Sequence, residues 1–222
     1  MIHLRFFLIF LMCLTQSYTQ RCSNINIYLE NNYKLYNDSI NNMYYILFKE
    51  DINKHGWDSP LVNCYKDINI PLTAKIDVSE FTMPINDSVI ITSNYGYRSQ
   101  FGRIHYGVDL RLKTGDTVRA TFNGVIRIVN YEKDGYGKYI VIRHNNGIET
   151  VYAHLSKHLV NRNQVVNAGE AIGLGGNSGR STNSHLHYEI RYFGLSLNPS
   201  SIVDFKKGVI LQDVYIFDKN KL

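Results

Sequence analysis

The sequence has few prolines, few cysteines and no long hydrophobic run. Its 222 residues include 4 prolines and 3 cysteines, and the longest uninterrupted apolar run, residues 6–14, has nine residues. A helix that spans a bilayer needs roughly 20 apolar residues, so the sequence predicts no permanent transmembrane span. The low proline content excludes collagen-like and mucin-like chains. With 44% hydrophobic residues, the composition also excludes a largely disordered chain.

Charge of one sign is also scarce. Lys and Arg number 24, whereas Asp and Glu number 19, which gives a net charge of +5. The basic residues form no cluster along one segment, so we expect no nucleic-acid partner. A chain of this length has room for one or two domains with a sizeable core.

The N-terminus has the pattern of a secretory signal peptide. A positively charged start, residues 1–5, precedes the apolar run, and the polar segment 15–19 follows it with small residues suited to cleavage. This order predicts a signal peptide over residues 1–19 and an exported protein, in the periplasm or cell envelope.

The cysteines leave two alternatives open. Cys13 lies within the apolar run, so a cleaved chain keeps Cys22 and Cys64. An even pair in an oxidising compartment predicts either a disulfide or two free thiols. A lipid anchor on Cys13 or Cys22 would need a small residue immediately before the cysteine. Met12 and Arg21 stand there, which argues against a lipoprotein.

Residues 20–80 form an N-terminal region of unknown role. They are rich in Asn, Tyr and Ile and show no clean alternation of apolar and polar residues. Three alternatives stay open for this region: a small docking subdomain, a prosegment that lies over the site of a latent enzyme, or a set of strands that extends the following sheet.

From residue 81 the sequence has the residue pattern of an all-β domain. β-branched and aromatic runs follow turns that contain Gly, and no segment shows a helical period of apolar residues. Such turns accept the positive φ of hairpins, so consecutive strands should pair antiparallel. We predict a domain over residues 81–205 and a C-terminal tail over 206–222 with one strand-like run at 209–211. The clearest runs are residues 125–129, 139–143 and 149–153, after Asn123-Gly124, Asp134-Gly135 and Asn146-Gly147.

Five side chains fall where they can do chemistry. His185 and His187 lie two apart in a strand-like run, so both imidazoles project from one face, as a metal ligand with its neighbour or as a chance pair. His105 and Asp109, four apart, also share a face in an extended chain. With one imidazole of the pair they would give three ligands and an open fourth position, as a catalytic zinc site requires; the alternative is a surface pair near a turn. His154, at the end of a predicted strand, suits a general base or a hydrogen-bond donor.

These residues occur in the order that is typical of a known family. The chain has His105 and Asp109 in an HxxxD arrangement, then Tyr152-Ala153-His154-Leu155, then His185-Leu186-His187. In this order the sequence resembles the LytM/lysostaphin-type zinc metalloendopeptidases of peptidase family M23, which cut peptide cross-links in the bacterial cell wall. The likeness covers roughly residues 90–204.

The resemblance implies a fold, a cofactor and a set of site residues. The fold is a curved antiparallel sheet with a second, smaller sheet, which together form an open substrate groove. The cofactor is Zn²⁺, with His105, Asp109 and His187 as its ligands and His154 and His185 as the catalytic histidines. The substrate is the peptide part of peptidoglycan, either a stem-to-stem bond between D-alanine and a diamino acid or a glycine bridge. A non-catalytic protein of the same fold that activates an amidase is the alternative function.

Other residues carry weaker signals. Asn94 and Arg98 are candidate substrate contacts. Arg98 and Arg103 precede the first ligand closely enough to pair with a substrate carboxylate, or they are exposed arginines on a loop. We expect solvated roles for the remaining histidines of the mature chain, which are His55, His144 and His158.

The neighbourhood of the HxH pair adds one candidate and two departures from the family pattern. Glu189 shares the strand parity of His187, so it can orient an imidazole. Asn183-Ser184 stands where Gly-Pro is common in the family, and Tyr188 stands where Phe is usual. We expect these departures to affect the loop 177–184, which should form a wall of the groove, and with it substrate preference more than catalysis.

Overall fold

The computed structural model describes residues 56–65, 70–85 and 89–222. They belong to the unit that runs from Ile52 to Leu222. The predicted signal peptide, Cys22 and His55 lie outside the described residues, so the signal peptide and the two alternatives for Cys22 and Cys64 stay predictions. Among the described residues no helix is long and apolar enough to cross a bilayer.

Within these residues the regular structure consists of strands and three short 3-10 turns, with no α-helix. The first strands are β1 Thr73–Asp77, β2 Ile91–Ser93, β3 Gly96–Arg98, β4 Arg103–His105, β5 Val108–Arg111, β6 Thr117–Arg119, β7 Gly124–Glu132, β8 Gly137–His144 and β9 Ile148–Leu155. The others are β10 Lys157–His158, β11 Val165–Val166, β12 Ala171–Leu174, β13 His185–Tyr192, β14 Leu195–Leu197, β15 Val203–Asp204, β16 Val209–Ile210 and β17 Val214–Asp218. The 3-10 turns are Ser99–Phe101, Pro199–Ser201 and Lys219–Lys221.

The main sheet is antiparallel and has the strand order β11-β7-β8-β9-β13-β5-β2, with β14 paired to β13. The hairpins β7–β8 and β8–β9 form as the turn residues predicted. Gly147, between β8 and β9, has a φ of 85°, which an L side chain rarely adopts. Between β7 and β8 the left-handed glycine is Gly137, with a φ of 65°, and not the predicted Gly135.

A smaller sheet has the order β10-β12-β6, and three two-stranded pairs complete the described fold: β1–β17, β3–β4 and β15–β16. The predicted all-β fold, with a main antiparallel sheet and a second, smaller one, is confirmed. Residues 173–179, before the HxH pair, are rich in glycine. Part of this stretch lies in β12, because Gly173 pairs with both β10 and β6.

The central strands of the main sheet are buried on both faces. One face is mainly apolar, and each fully buried side chain on it stabilises the fold by about 1.5–3 kcal/mol. The opposite face, which carries His187, Glu189 and Arg191 of β13, we call the site face. The fully buried apolar or aromatic side chains of the other face include Leu110, Ile140, Ile142, Tyr152, Tyr188 and Ile190.

His144 lies in this core, so the prediction of a solvated role is wrong. Its Nδ1 is 3.1 Å from the carbonyl oxygen of Asn123 and its Nε2 is 2.6 Å from the hydroxyl of Thr150. Burial lowers the pKa of His144 to about 4. The adjacent turn residues gave no sign of this, because the burial comes from pairing with β7. His158, on β10, is half-buried.

The C-terminal tail contains more structure than one strand-like run. The predicted run at 209–211 is present as β16, and β17 pairs along its whole length with β1. Phe217 of β17 is fully buried and its ring lies 4.8 Å from that of Tyr192. The predicted domain bounds, 81 and 205, stay a prediction, and β1 and β17 lie outside them.

Candidate metal centre

Three strands bring His105, Asp109 and His187 together. The register of β13 and β5 places His187 directly opposite Asp109, so both side chains lie on the site face. His105 ends β4 and arrives from the β3–β4 hairpin. The chain can turn between His105 and Asp109 because Gly107 has no side chain: a Cβ there would lie 2.3 Å from the carbonyl oxygen of Tyr188. The predicted convergence is present, although the two residues do not share one extended strand.

The three side chains converge on one point. His105 Nε2 lies 3.0 Å from Asp109 Oδ1 and 2.9 Å from His187 Nδ1, and His187 Nδ1 lies 2.9 Å from Asp109 Oδ1. All three residues are buried. We call them the metal cluster.

The atoms of the cluster that point away from this centre are already bonded. His105 Nδ1 donates to the carbonyl of Asn94 at 2.7 Å, and His187 Nε2 donates to Glu189 Oε1 at 2.8 Å. Asp109 Oδ2 accepts from Arg98 Nη2 at 2.6 Å. Two imidazole nitrogens and one carboxylate oxygen are therefore left to face each other, which is a ligand set that zinc accepts, with each ligand held from behind.

Glu189 is itself fixed and charged. Arg191 Nε and the hydroxyl of Tyr136 donate to its two carboxylate oxygens, at 2.5 and 3.0 Å. Burial raises the pKa of Glu189, but the hydrogen bond from His187 and the charge of Arg191 outweigh it and lower the pKa to about 2. A charged Glu189 fixes the proton of His187 on Nε2 and leaves Nδ1 facing the cluster.

Without a cation, the cluster holds protons. Burial lowers the pKa of His187, but hydrogen bonds with Asp109 and Glu189 outweigh it and raise the pKa to about 9. Burial raises the pKa of Asp109, while the hydrogen bonds from His105 and His187 bring it well below its usual range. A metal ion bound here would take the place of a proton, so its affinity should depend on pH.

His154 and His185 flank the metal cluster, with ring centroids 4.7 Å apart. His154 Nδ1 donates to the carbonyl of Ser178 at 2.8 Å, and His185 Nδ1 donates to the carbonyl of Asn183 at 2.7 Å. Each ring therefore has Nε2 free, and that of His185 lies 3.5 Å from Asp109 Oδ1. Burial, with the nearby His185 and His187, lowers the pKa of His154 to about 4.

Ser178 holds His154 from two sides. The backbone of His154 is left-handed, with a φ of 61°, which is uncommon for a residue other than glycine. The hydroxyl of Ser178 donates to the carbonyl of Leu155 at 2.6 Å and accepts from the amide of Lys138 at 2.9 Å. Its carbonyl accepts from the ring of His154. No sequence signal pointed to Ser178, because every residue offers a backbone carbonyl.

The two candidate substrate contacts are next to the cluster, with different partners. Arg98 is bonded to Asp109, so its guanidinium supports a ligand. Asn94 uses its carbonyl to orient His105, and the residue is exposed. A substrate contact for either side chain stays a prediction.

Cys64 lies outside the metal cluster, with its thiol 3.7 Å from Arg143 Nη2.

Comparisons with known proteins agree with this geometry. The family model for peptidase family M23 matches residues 103–199. DD-carboxypeptidase/endopeptidase Mpg of Neisseria meningitidis is 45% identical over 116 residues, which are 50% of this chain and 26% of that protein. Murein hydrolase activator NlpD of Salmonella dublin is 36% identical over 122 residues, which are 55% of this chain and 31% of that protein.

A solved structure is similar as well. The crystal structure of a zinc-containing peptidase from Vibrio cholerae is 32% identical, with a TM-score of 0.51, over 54% of this chain and 39% of that one. The chain therefore spans well under half of the length of these relatives, and the predicted resemblance is confirmed for the matched segment. Residues 103–199 belong to peptidase family M23.

Proposed function

We propose that the protein is a zinc-dependent endopeptidase that hydrolyses peptide cross-links of bacterial peptidoglycan after export to the cell envelope. The observation that carries the proposal is the convergence of His105, Asp109 and His187, with His154 and His185 beside them. The family match and the endopeptidase among the relatives support it.

His105, Asp109 and His187 would hold the zinc ion. Bound there, zinc supplies a Lewis acid for the scissile carbonyl and a water that ionises near neutral pH. The chain's own residues fix the arrangement: Asn94, Arg98 and Glu189 each bond the far atom of one ligand and so keep its donor atom directed at the ion.

The two flanking histidines act as proton acceptor and proton donor. The bond from His154 Nδ1 to Ser178 leaves the neutral ring with a lone pair on Nε2, so we assign it the role of accepting a proton from water. His185 is less buried, and its Nε2 lies beside the carboxylate of Asp109. Because that nitrogen points at the metal cluster, we assign His185 the role of donating to the oxyanion or the leaving amine.

The test is mass spectrometry of purified sacculi digested by the full chain with zinc, with a chelator, and by His187→Ala. We expect new peptide termini with the zinc-loaded protein alone. The matched control is His158→Ala, which removes a half-buried imidazole outside the cluster and should keep activity. Cleavage that survives the chelator would contradict the proposal.

A second function is an activator of cell-wall amidases, which the likeness to NlpD favours. An activator would produce no new peptide termini and would speed release by an added amidase. The presence of all five site residues argues for the enzyme, and the same sacculi digested with and without amidase separate the two functions.

A further inference from the structure

Arg111, which the sequence did not single out, lies on the site face beside His185. The register of β13 and β5 pairs His185 with Arg111 and His187 with Asp109. Residues directly opposite each other in an antiparallel pair share a face, with Cβ atoms about 4.5–5.5 Å apart. Asp109 contacts both histidines from that face, and Arg111, two residues later, projects the same way.

Among the described residues, the guanidinium of Arg111 has no carboxylate partner. The residue is exposed at the end of β5, and its backbone amide donates to the carbonyl of Ile90 at 2.9 Å, which fixes where the side chain starts. In the described part of the chain Arg111 makes no ion pair, whereas the nearby carboxylates Asp109 and Glu189 already have cationic partners, Arg98 and Arg191. Arg111 therefore presents a positive charge at the edge of the site, and no described carboxylate pairs with it.

We propose that Arg111 binds a carboxylate of the substrate, on a residue adjoining the bond that is cut, and that the protein therefore selects stem peptides with a free carboxylate. This inference rests on the proposed function and names its substrate class. A guanidinium binds a carboxylate through two parallel hydrogen bonds, which adds geometric selectivity to the charge. A glycine bridge has no side-chain carboxylate, so it offers Arg111 nothing comparable.

Two other arginines near the site are less suited to this role. Arg98 is held by Asp109 at 2.6 Å. Arg103 stacks on Phe101 in the β3–β4 hairpin, with 5.7 Å from its guanidinium carbon to the ring centroid. Arg111 is the arginine directly opposite His185.

The experiment compares two synthetic stem peptides that differ in one group, a carboxylate that is free or amidated beside the scissile bond. The full chain, loaded with zinc, is assayed for kcat/KM on both. We expect a preference of up to about fivefold for the free carboxylate, because solvent screens an ion pair made by an exposed arginine. Arg111→Gln should lower kcat/KM on the free carboxylate and bring the ratio near one. Arg111→Lys keeps the charge but loses the two parallel donors of the guanidinium, so it should give an intermediate ratio.

Two further variants make the result specific. Lys206→Gln, which removes an exposed charge between β15 and β16, should keep the full preference. A preference that survives Arg111→Gln, or that is lost in Arg103→Gln instead, would overturn the proposal, as would a wild-type ratio near one.

A separate binding measurement distinguishes failure of this inference from failure of the proposed function. The dissociation constants of both peptides are measured by calorimetry on the chelator-treated protein and on the same variants. If the wild type cleaves neither peptide, the proposed function fails, and the inference is still decided by whether Arg111→Gln abolishes the tighter binding of the free carboxylate.

Discussion

Two clusters of buried charged side chains lie on the site face of the main sheet, at opposite ends of its strands. One is the metal cluster. The other, which we call the far cluster, consists of Arg127, Arg143 and Glu149. Cross-strand pairing of Glu149 with Arg143 and Arg191 places it on the same face as His187. Both clusters are buried and ionic, yet they differ in what their atoms face.

The far cluster is a network of ion pairs that the segment 56–65 completes. Arg127 donates to both oxygens of Glu149, at 2.6 and 3.0 Å, and Arg143 Nε donates to the same carboxylate at 2.8 Å. The segment 56–65 covers it: the remaining hydrogens of the Arg127 guanidinium go to the carbonyls of Ser59, Leu61 and Val62. The donors of Arg127 are therefore shared between the carboxylate of Glu149 and the carbonyls of this segment.

The metal cluster differs in the direction of its lone pairs. Its outward atoms are bonded to Asn94, Arg98 and Glu189, while two imidazole nitrogens and a carboxylate oxygen face inward. Buried charge alone therefore does not mark a functional site, since the far cluster has as much of it. Acceptors held so that they converge are the distinguishing feature.

Glu149→Gln should have the largest effect on stability and should leave the metal cluster intact. The substitution leaves two buried guanidinium groups without a carboxylate partner, and breaking a buried ion pair costs about 3–5 kcal/mol of folding free energy. Urea unfolding measures the loss. The matched control is Asp58→Asn, which removes an exposed ion pair with Arg162 and should cost less than about 1 kcal/mol. Equal losses in the two variants would mean that the far cluster is not a stabilising element.

Acid should also weaken the far end of the sheet, through His144. Its folded pKa of about 4 lies below its ordinary value of 6.5. Both states are neutral above pH 6.5, and as the pH falls toward 4 only the unfolded state gains the proton. The free energy of unfolding should therefore fall through this window, by up to about 3 kcal/mol. The difference between wild type and His144→Gln at each pH measures this part, and parallel curves would refute it.

Glu189→Gln should act on the metal, in contrast to Glu149→Gln. The amide still accepts from His187, but the charge behind the ligand is lost, so we expect zinc affinity to fall about 10- to 100-fold. Competition with a chelator measures it on folded protein. Glu149→Gln should keep the wild-type affinity where it remains folded, and a loss of similar size there would remove the distinction between the clusters.

The sequence predicted the parts of the molecule that local patterns determine. Turns that contain glycine predicted the hairpins of β7, β8 and β9. The two-residue spacing of His185 and His187 predicted that both side chains lie on one face of a strand. The residues that converge in the site were also predicted, because their order along the chain is typical of the family.

Long-range packing could not be predicted in this way. The pairing of β1 with β17 and the docking of Leu61 and Val62 on Arg127 join segments far apart in sequence, and no local pattern encodes them. The support of His105 by Asn94, and of His154 by Ser178, uses backbone carbonyls. A carbonyl is the same in every residue, so only the fold shows which one is used.

Ser178→Ala should have the smallest effect and tests whether the metal cluster depends on its surroundings as closely as the far cluster depends on segment 56–65. The substitution removes the bonds to Leu155 and Lys138 but keeps the carbonyl that His154 uses. We expect kcat to fall about tenfold, because a donor displaced from its position loses the benefit of orientation. The ¹⁵N spectrum of His154 should show its proton on Nδ1 in the wild type and a mixture of tautomers in the variant. Ser178→Thr should restore both kcat and the tautomer, since it restores the hydroxyl.

Ser156→Ala is the matched control, because the hydroxyl of Ser156 donates to the carbonyl of Gly175 at 2.7 Å without touching His154. If Ser156→Ala changes the His154 spectrum as much, Ser178 acts only through general stability.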